Sequence, residues 1–142
     1  MIGKYPAKLD DKNRLFVPAK LRGELGEDFY VTLGFNCGRR CLTIYTAQDW
    51  QKMSENYNNL SIYQRTDAAG LIFMNASQCS PDKQFRFGLP QFLLEYAGIT
   101  RDVVIVGRAG QADIWDAEAF KAYEAENLTP EKLLASLEAI GL

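Results

Sequence analysis

Two short runs of this chain share one order: Asp, three residues, Arg, three residues, Pro. The first runs from Asp10 to Pro18 and the second from Asp82 to Pro90, 72 positions later. The planar guanidinium of arginine donates two hydrogen bonds at once, which suits it to phosphate and to the O6/N7 edge of guanine. The pattern therefore predicts two equivalent arginine-bearing turns able to contact nucleic acid.

The residues within the two runs divide into candidate contacts and candidate turn-formers. The candidate DNA contacts are the cationic residues Lys12, Arg14, Lys83 and Arg86. The turn-structural candidates are Asp10, Asn13, Asp82 and Phe85. An aspartate here can cap its own turn amides or orient the arginine that follows. It can equally form an internal salt bridge that pins the turn. We interpret the aspartates as structural and leave the arginines open between packing and binding.

The elements around these runs are repeated as well, which predicts two copies of one unit. Each run precedes a short helix, then a β-rich stretch ending in glycine, then an aromatic strand end and a helix start. Thr46 and Asp116 stand at those helix starts and are good N-caps. The predicted organisation is a first repeat at 1–58, a connector at 59–70, a second repeat at 71–127 and a helical extension at 128–142.

The unit is too small to bury a core alone, so the two copies must pack together. Short hairpins from the two copies can interlace, which buries both and places both turns on one edge. The predicted fold class is α+β. In the second unit we expect a strand from Leu71 to Cys79, part of a helix in the connector, and an extra helix from Pro130 to Ile140 capped by Thr129.

Composition excludes several classes of function. The chain has 142 residues and no histidine, so Ser-His and Cys-His nucleophile pairs are impossible. Three cysteines without histidine do not form a metal-site spacing, and no glycine-rich phosphate loop is present. We therefore expect no enzyme activity, no cofactor, no metal and no small-molecule substrate. No apolar run or leader is visible, so we expect a cytoplasmic protein without a membrane partner.

The net charge of −2 argues against a simple polyanion binder, but the charge is unevenly distributed. Residues 1–110 carry a net +3 and residues 111–142 a net −5. Since DNA affinity depends on the charges that touch phosphate, a locally basic surface is sufficient.

Several segments together resemble the MraZ family, the two-repeat bacterial member of the AbrB-like swapped-hairpin group. The resemblance covers residues 1 to about 125. It is carried by the opening MIGKY, by LDDKNRLFVPAKLR, by PDKQFRFGLP, by LEYAGI, and by VVIVG followed by IW. It implies two pseudo-symmetric swapped-hairpin β-barrel halves with short flanking helices, assembled into a ring that is typically an octamer.

The resemblance also implies a function. Such proteins are nucleoid-associated transcriptional regulators that bind short tandem repeats upstream of the operon for cell division and cell-wall synthesis, their own gene included. The expected partners are thus double-stranded DNA and further copies of this chain. Linked subunits would favour tandem sites, because later contacts become intramolecular.

Both runs depart from the family pattern at its glycine. Asn13 stands there in the first copy and tolerates a left-handed conformation. Phe85 stands there in the second, where positive φ would cost about 1–2 kcal/mol. We therefore expect the second turn to be reshaped, or Phe85 to pack on a neighbouring subunit or a sugar ring.

Another class of function remains open. An AbrB-type antitoxin, or another protein-interaction module, carries one such unit and a tail that clasps its partner. The acidic C-terminal helices of this chain are candidates for such a clasp.

Overall fold

The structure is a computed structural model that describes residues 1–142, and its architecture is mixed α and β. The strands are β1 Ile2–Lys8, β2 Arg14–Phe16, β3 Phe29–Asn36, β4 Arg39–Thr46, β5 Ser77–Cys79, β6 Arg86–Gly88, β7 Asp102–Arg108 and β8 Gln111–Asp116. The helices are α1 Arg22–Leu25, α2 Ala47–Asn58, α3 Asp67–Met74, α4 Gln91–Ala97, α5 Ala117–Asn127 and α6 Pro130–Ile140. A 3₁₀ turn at Ala19–Leu21 precedes α1. The predicted α+β class is confirmed.

The strands form a six-stranded antiparallel sheet in the order β1-β7-β8-β4-β3-β5 and a separate two-stranded ribbon, β2-β6. Four pairings join an early strand to a late one: β1 with β7, β4 with β8, β3 with β5, and β2 with β6. The sheet is open at β1 and β5, so a closed barrel is not formed. Both sheets therefore contain strands from both halves of the chain.

Local geometry repeats at the same 72-residue spacing as the sequence. Leu15 lies directly opposite Phe87 in the ribbon, and Leu42 lies opposite Ile114 in the sheet. Three pairs of residues with positive φ also fall at this spacing: Asn13 and Phe85, Gly26 and Gly98, Cys37 and Ala109. Equivalent residues that face each other across antiparallel strands define an approximate two-fold axis through both pairs.

The helix starts follow the predicted capping chemistry. The Thr46 hydroxyl accepts from the Asp49 N–H at 3.2 Å, and the Asp116 carboxylate accepts from the Ala119 N–H at 3.1 Å. Thr129 caps α6 in the same way, with Pro130 at the first helical position. These bonds satisfy amides that have no partner within the helix.

The expected strand from Leu71 to Cys79 is wrong over most of its length. Helix α3 runs through Met74, and only Ser77–Cys79 is extended. The Thr66 hydroxyl caps this helix at the Ala69 N–H, and helical winding brings the Phe73 ring within 5.1 Å of Trp50 on α2. Packing against an aromatic partner therefore decided the conformation of this apolar run.

The main core lies beneath the ribbon. Leu15 and Phe87 are buried there with side chains from both halves, and the Phe29 ring meets the Phe87 ring edge to face at 5.1 Å. Helix α6 contributes nothing to this core, and its side chains are exposed. None of the helices is both long enough and apolar enough to cross a membrane.

Candidate nucleic-acid interface

The first turn is organised by the carboxylate of Asp10. One oxygen, Oδ1, accepts from the backbone N–H groups of Lys12 and Arg14, each at 2.9 Å. The other, Oδ2, accepts from Nε of Arg14 at 2.7 Å. Backbone bonds between Asp10 and Arg14 and between Asn13 and Asp10 close the turn. The aspartate thus both caps the turn and orients its arginine.

The second turn has the same bonds at equivalent positions. Oδ1 of Asp82 accepts from the backbone N–H groups of Gln84 and Arg86 at 2.9 and 3.0 Å. Oδ2 accepts from Nε of Arg86 at 3.0 Å. Each arginine uses only Nε for its aspartate, and its terminal nitrogens donate to no protein acceptor. Each guanidinium is therefore held by one edge and presents the other to an external acceptor.

The ribbon brings the two arginines to one face. Arg14 pairs with Gly88, and Phe16 pairs with Arg86. Because side chains alternate along a strand, these four residues share a face opposite the buried pair of Leu15 and Phe87. Arg14 and Arg86 are then diagonal neighbours, about 7–8 Å apart. We call this surface, formed by Arg14, Phe16, Arg86 and Gly88, the arginine face.

The two lysines of the predicted site lie in the turns rather than on the arginine face. Lys12 and Lys83 are exposed and form no ion pair. Asn13 donates from Nδ2 to Gln91 at the start of α4, which ties the first turn to that helix. The turns lie at opposite ends of the short ribbon. Their tips are therefore apart, and only their arginines share a face.

The second turn is not reshaped, although Phe85 occupies its left-handed position. Its φ is 62°, close to the 57° of Asn13. The guanidinium of Arg22 lies over the Phe85 ring, with Cζ 3.8 Å from the ring centroid. Nε of the same arginine donates to the carbonyl of Val17 at 3.1 Å. Val17 in turn donates to the carbonyl of Phe85 at 2.8 Å. An intramolecular contact from α1 therefore supports the strained residue, and the expected reshaping is wrong.

Arg22 is the residue of this region that sequence reasoning missed. It lies 63 positions before Phe85, and nothing in either run signals their contact. The equivalent of Arg22 in the second half is the buried Leu94, so the first turn has no matching support. The two turns share a backbone but differ in what holds them.

Comparison with known proteins gives a consistent result. The family model described as "MraZ protein, putative antitoxin-like" matches the chain twice, at residues 1–71 and 72–135. The chain belongs to the MraZ family. A transcriptional regulator MraZ from Clostridium tetani is 35% identical over 144 residues, which cover 99% of each chain. The one from Dictyoglomus turgidum is 38% identical over 145 residues, covering 99% of this chain and 92% of its own.

A third relative, the transcriptional regulator MraZ of Micrococcus luteus, is 37% identical over 127 residues, covering 88% of this chain and 87% of its own. These MraZ relatives are named as regulators of transcription and not as enzymes, which agrees with the expected lack of enzyme activity. The structure has no group of three or more His, Cys, Asp or Glu side chains placed to hold a metal ion.

The aspartates of both turns have lowered pKa values. At Asp10 desolvation raises the pKa, but hydrogen bonds from the Arg14 and Lys12 amides and from the Arg14 side chain outweigh it. At Asp82 the largest cause is the bond from the Arg86 amide, which lowers the pKa. Each carboxylate is therefore ionised at neutral pH and holds its turn in that form.

This lowered pKa predicts a pH-dependent contribution to stability. A carboxyl with a lower pKa when folded stabilises above its unfolded pKa of about 3.9, and that contribution is lost as pH falls through the folded value. The urea midpoint of the wild type should therefore exceed that of the Asp10→Asn/Asp82→Asn variant at pH 6. The difference should shrink towards pH 2. An equal difference at both pH values would show that the turns do not depend on ionised aspartate.

Exchanging the left-handed residues tests the support from Arg22. Phe85→Asn should relieve about 1–2 kcal/mol of backbone cost and lose about 0.5–1 kcal/mol of cation–π attraction. We expect it to stabilise the protein slightly. The reverse change, Asn13→Phe, should destabilise by about 1–2 kcal/mol, because no guanidinium covers that position. Urea unfolding measures both, and an Asn13→Phe variant as stable as the wild type would contradict the assignment, because a left-handed phenylalanine would then need no covering guanidinium.

Proposed function

We propose that this MraZ-family protein is a sequence-specific DNA-binding transcriptional regulator, acting as a repressor. In this proposal it binds short tandem repeats in its own promoter, upstream of the operon for cell division and cell-wall synthesis. The contacts come from Lys12 and Arg14 of the first turn and from Lys83 and Arg86 of the second. Asp10, Asn13, Asp82 and Phe85 hold the two turns.

One observation carries the proposal: the shared orientation of Arg14 and Arg86. Two guanidinium groups on one face of a two-stranded ribbon, each fixed through Nε, present free donors in a preorganised geometry. The major groove of B-DNA admits a two-stranded ribbon, and an arginine there pairs with guanine O6 and N7. Ordering the side chains before binding lowers the entropy lost on association. The names of the MraZ relatives support the same class of function.

A ring of several copies, which we expect to be an octamer, completes the proposal. One chain offers few base contacts, so an isolated copy would bind weakly. In a ring, the second and later contacts are intramolecular, and the effective concentration favours DNA with several repeats in register. Such a protein would work in the cytoplasm, associated with the nucleoid.

Binding to DNA from upstream of the protein's own gene tests the proposal. A labelled duplex with the native repeats is compared with a shuffled duplex of equal length and composition across a salt series. We expect tighter binding to the native duplex by roughly a thousandfold or more, with steep loss of affinity as salt rises. Equal affinity for both duplexes at every salt concentration would refute sequence-specific regulation.

An antitoxin or protein-interaction role is the second candidate. Helix α6 favours it, because it exposes four apolar side chains: Leu133, Leu134, Leu137 and Ile140. The net negative charge of the chain also lies in this region, at residues 111–142. Stoichiometric co-purification of a small protein from the native organism, lost when residues 128–142 are deleted, would support this role.

A further inference from the structure

A second basic surface lies outside the two turns. Strand β1 and the segment from Phe16 to Lys20 enclose a groove of about 500 Å³. No carboxylate lines it, and its walls carry three ammonium groups and one exposed aromatic ring: Lys4, Lys8, Lys20 and Phe16. We call this surface the lysine groove. Its cations and its concave shape fit a polyanionic chain.

The charges of the lysine groove are not all equally available. Lys4 and Lys8 lie on the same face of β1, four residues and about 13 Å apart. Lys4 pairs with Glu124 on α5 at 3.0 Å. Lys8 and Lys20 are exposed and form no ion pair with any carboxylate of the chain. These two ammonium groups are therefore the ones left to neutralise an external anion.

The lysine groove is continuous with the arginine face. Phe16 belongs to both surfaces, because it lines the groove and lies directly opposite Arg86 in the ribbon. Phe16 is 57% exposed, which leaves a large apolar area flanked by cations. A duplex lying on the arginine face would therefore bring its adjoining backbone over Phe16 and into the groove.

Only the first half of the chain carries this surface. The residues 72 positions after the four groove residues are Ala76, Ser80, Phe92 and Gly88, none of them cationic. The two turns are nearly equivalent in geometry, but their surroundings are not. The approximate two-fold symmetry of the arginine face is thus broken by charge on one side.

We propose that the lysine groove binds the phosphodiester backbone of duplex DNA beside the base pairs reached by the turns. Lys8 and Lys20 contact phosphates, and Phe16 packs on a neighbouring deoxyribose. This inference rests on the proposed function and adds a binding site to it. Since the second half has no such groove, each chain binds its site in one orientation.

A charge-neutral double variant tests the groove. Lys8→Gln/Lys20→Gln should make the slope of log affinity against log salt shallower by about two for each chain bound to the duplex, since each phosphate contact contributes about 0.9. Affinity for native and shuffled duplexes should fall by the same factor, so the preference is retained. The matched control is Lys52→Gln/Lys121→Gln, which removes the same charge from α2 and α5. Its slope should stay close to that of the wild type.

Removing the aromatic ring of Phe16 should change affinity and salt slope differently from removing the lysines. Phe16→Ala should lower affinity severalfold without changing the salt slope, because an apolar contact releases no counterions. A groove variant with the same slope as its control would overturn the inference while leaving the proposed function intact. If the wild type does not prefer the native duplex but the groove variant still has a shallower salt slope, the proposed function is overturned. The groove would then remain a phosphate-binding site.

Discussion

Alanine at both Arg14 and Arg86 is expected to abolish the preference for repeat DNA without unfolding the protein. Each guanidinium is held through Nε by its own aspartate, and its terminal nitrogens are free to donate. A bidentate contact to guanine gives about 1–3 kcal/mol of discrimination, so losing two should lower the preference by roughly 30-fold to 10⁴-fold. Anisotropy titrations with native and shuffled duplexes measure this ratio directly.

The matched control for this prediction is Arg14→Lys/Arg86→Lys. Lysine keeps the positive charge but lacks the planar fork, so non-specific affinity and salt dependence should remain while the preference is lost. Both variants should keep the molar mass that light scattering gives for the wild type. An alanine variant that keeps the full preference would remove the arginine face from the account.

Truncating Phe87 is expected to have the largest effect on stability. Phe87 is 3% exposed and lies opposite Leu15 beneath the arginine face, and its ring meets Phe29 edge to face. Replacing a buried phenylalanine with alanine removes apolar contacts and leaves a cavity, at a typical cost of 3–5 kcal/mol. We expect Phe87→Ala to lower the free energy of unfolding by that amount in urea titrations.

Phe92→Ala is the control for the Phe87 prediction. Phe92 lies on the neighbouring helix α4, but 48% of its surface is exposed. Little burial is lost on its truncation, so its stability should change by less than about 1 kcal/mol. Equal effects of the two variants would show that Phe87 is not the support of the ribbon.

The features that depend on local chemistry could be predicted from the sequence. The caps at Thr46 and Asp116 follow from a side-chain oxygen near free amides at a helix start, and both formed. The Asp-to-Arg bond in each turn is likewise local, because it joins residues four apart. Duplication of the pattern then implied a second, equivalent turn.

Features that depend on distant contacts could not be predicted in the same way. The run from Leu71 to Met74 suits a strand or a helix, and the choice was made by Phe73 packing on Trp50. The conformation of Phe85 is strained in isolation and is supported by Arg22, which belongs to another element. In both cases the deciding contact joins residues far apart in sequence, Trp50 with Phe73 and Arg22 with Phe85.

The placement of Arg14 and Arg86 depends on both local chemistry and distant contacts. Their side chains are set locally by the aspartates, but their shared face depends on the register of β2 against β6. A slip of one residue in that ribbon would turn Arg86 towards the core. Burial of Leu15 and Phe87 fixes the register, so the core beneath the ribbon also sets the geometry of the proposed contacts.

Selection of bound sequences from a random duplex library tests the central claim most directly. The wild type should enrich one short motif in tandem copies at constant spacing, and that motif should occur upstream of the protein's own gene. The Arg14→Ala/Arg86→Ala variant should enrich none. Recovery of unrelated sequences by the wild type would contradict the account, because a preorganised arginine face repeated around the proposed ring should bind one motif repeatedly.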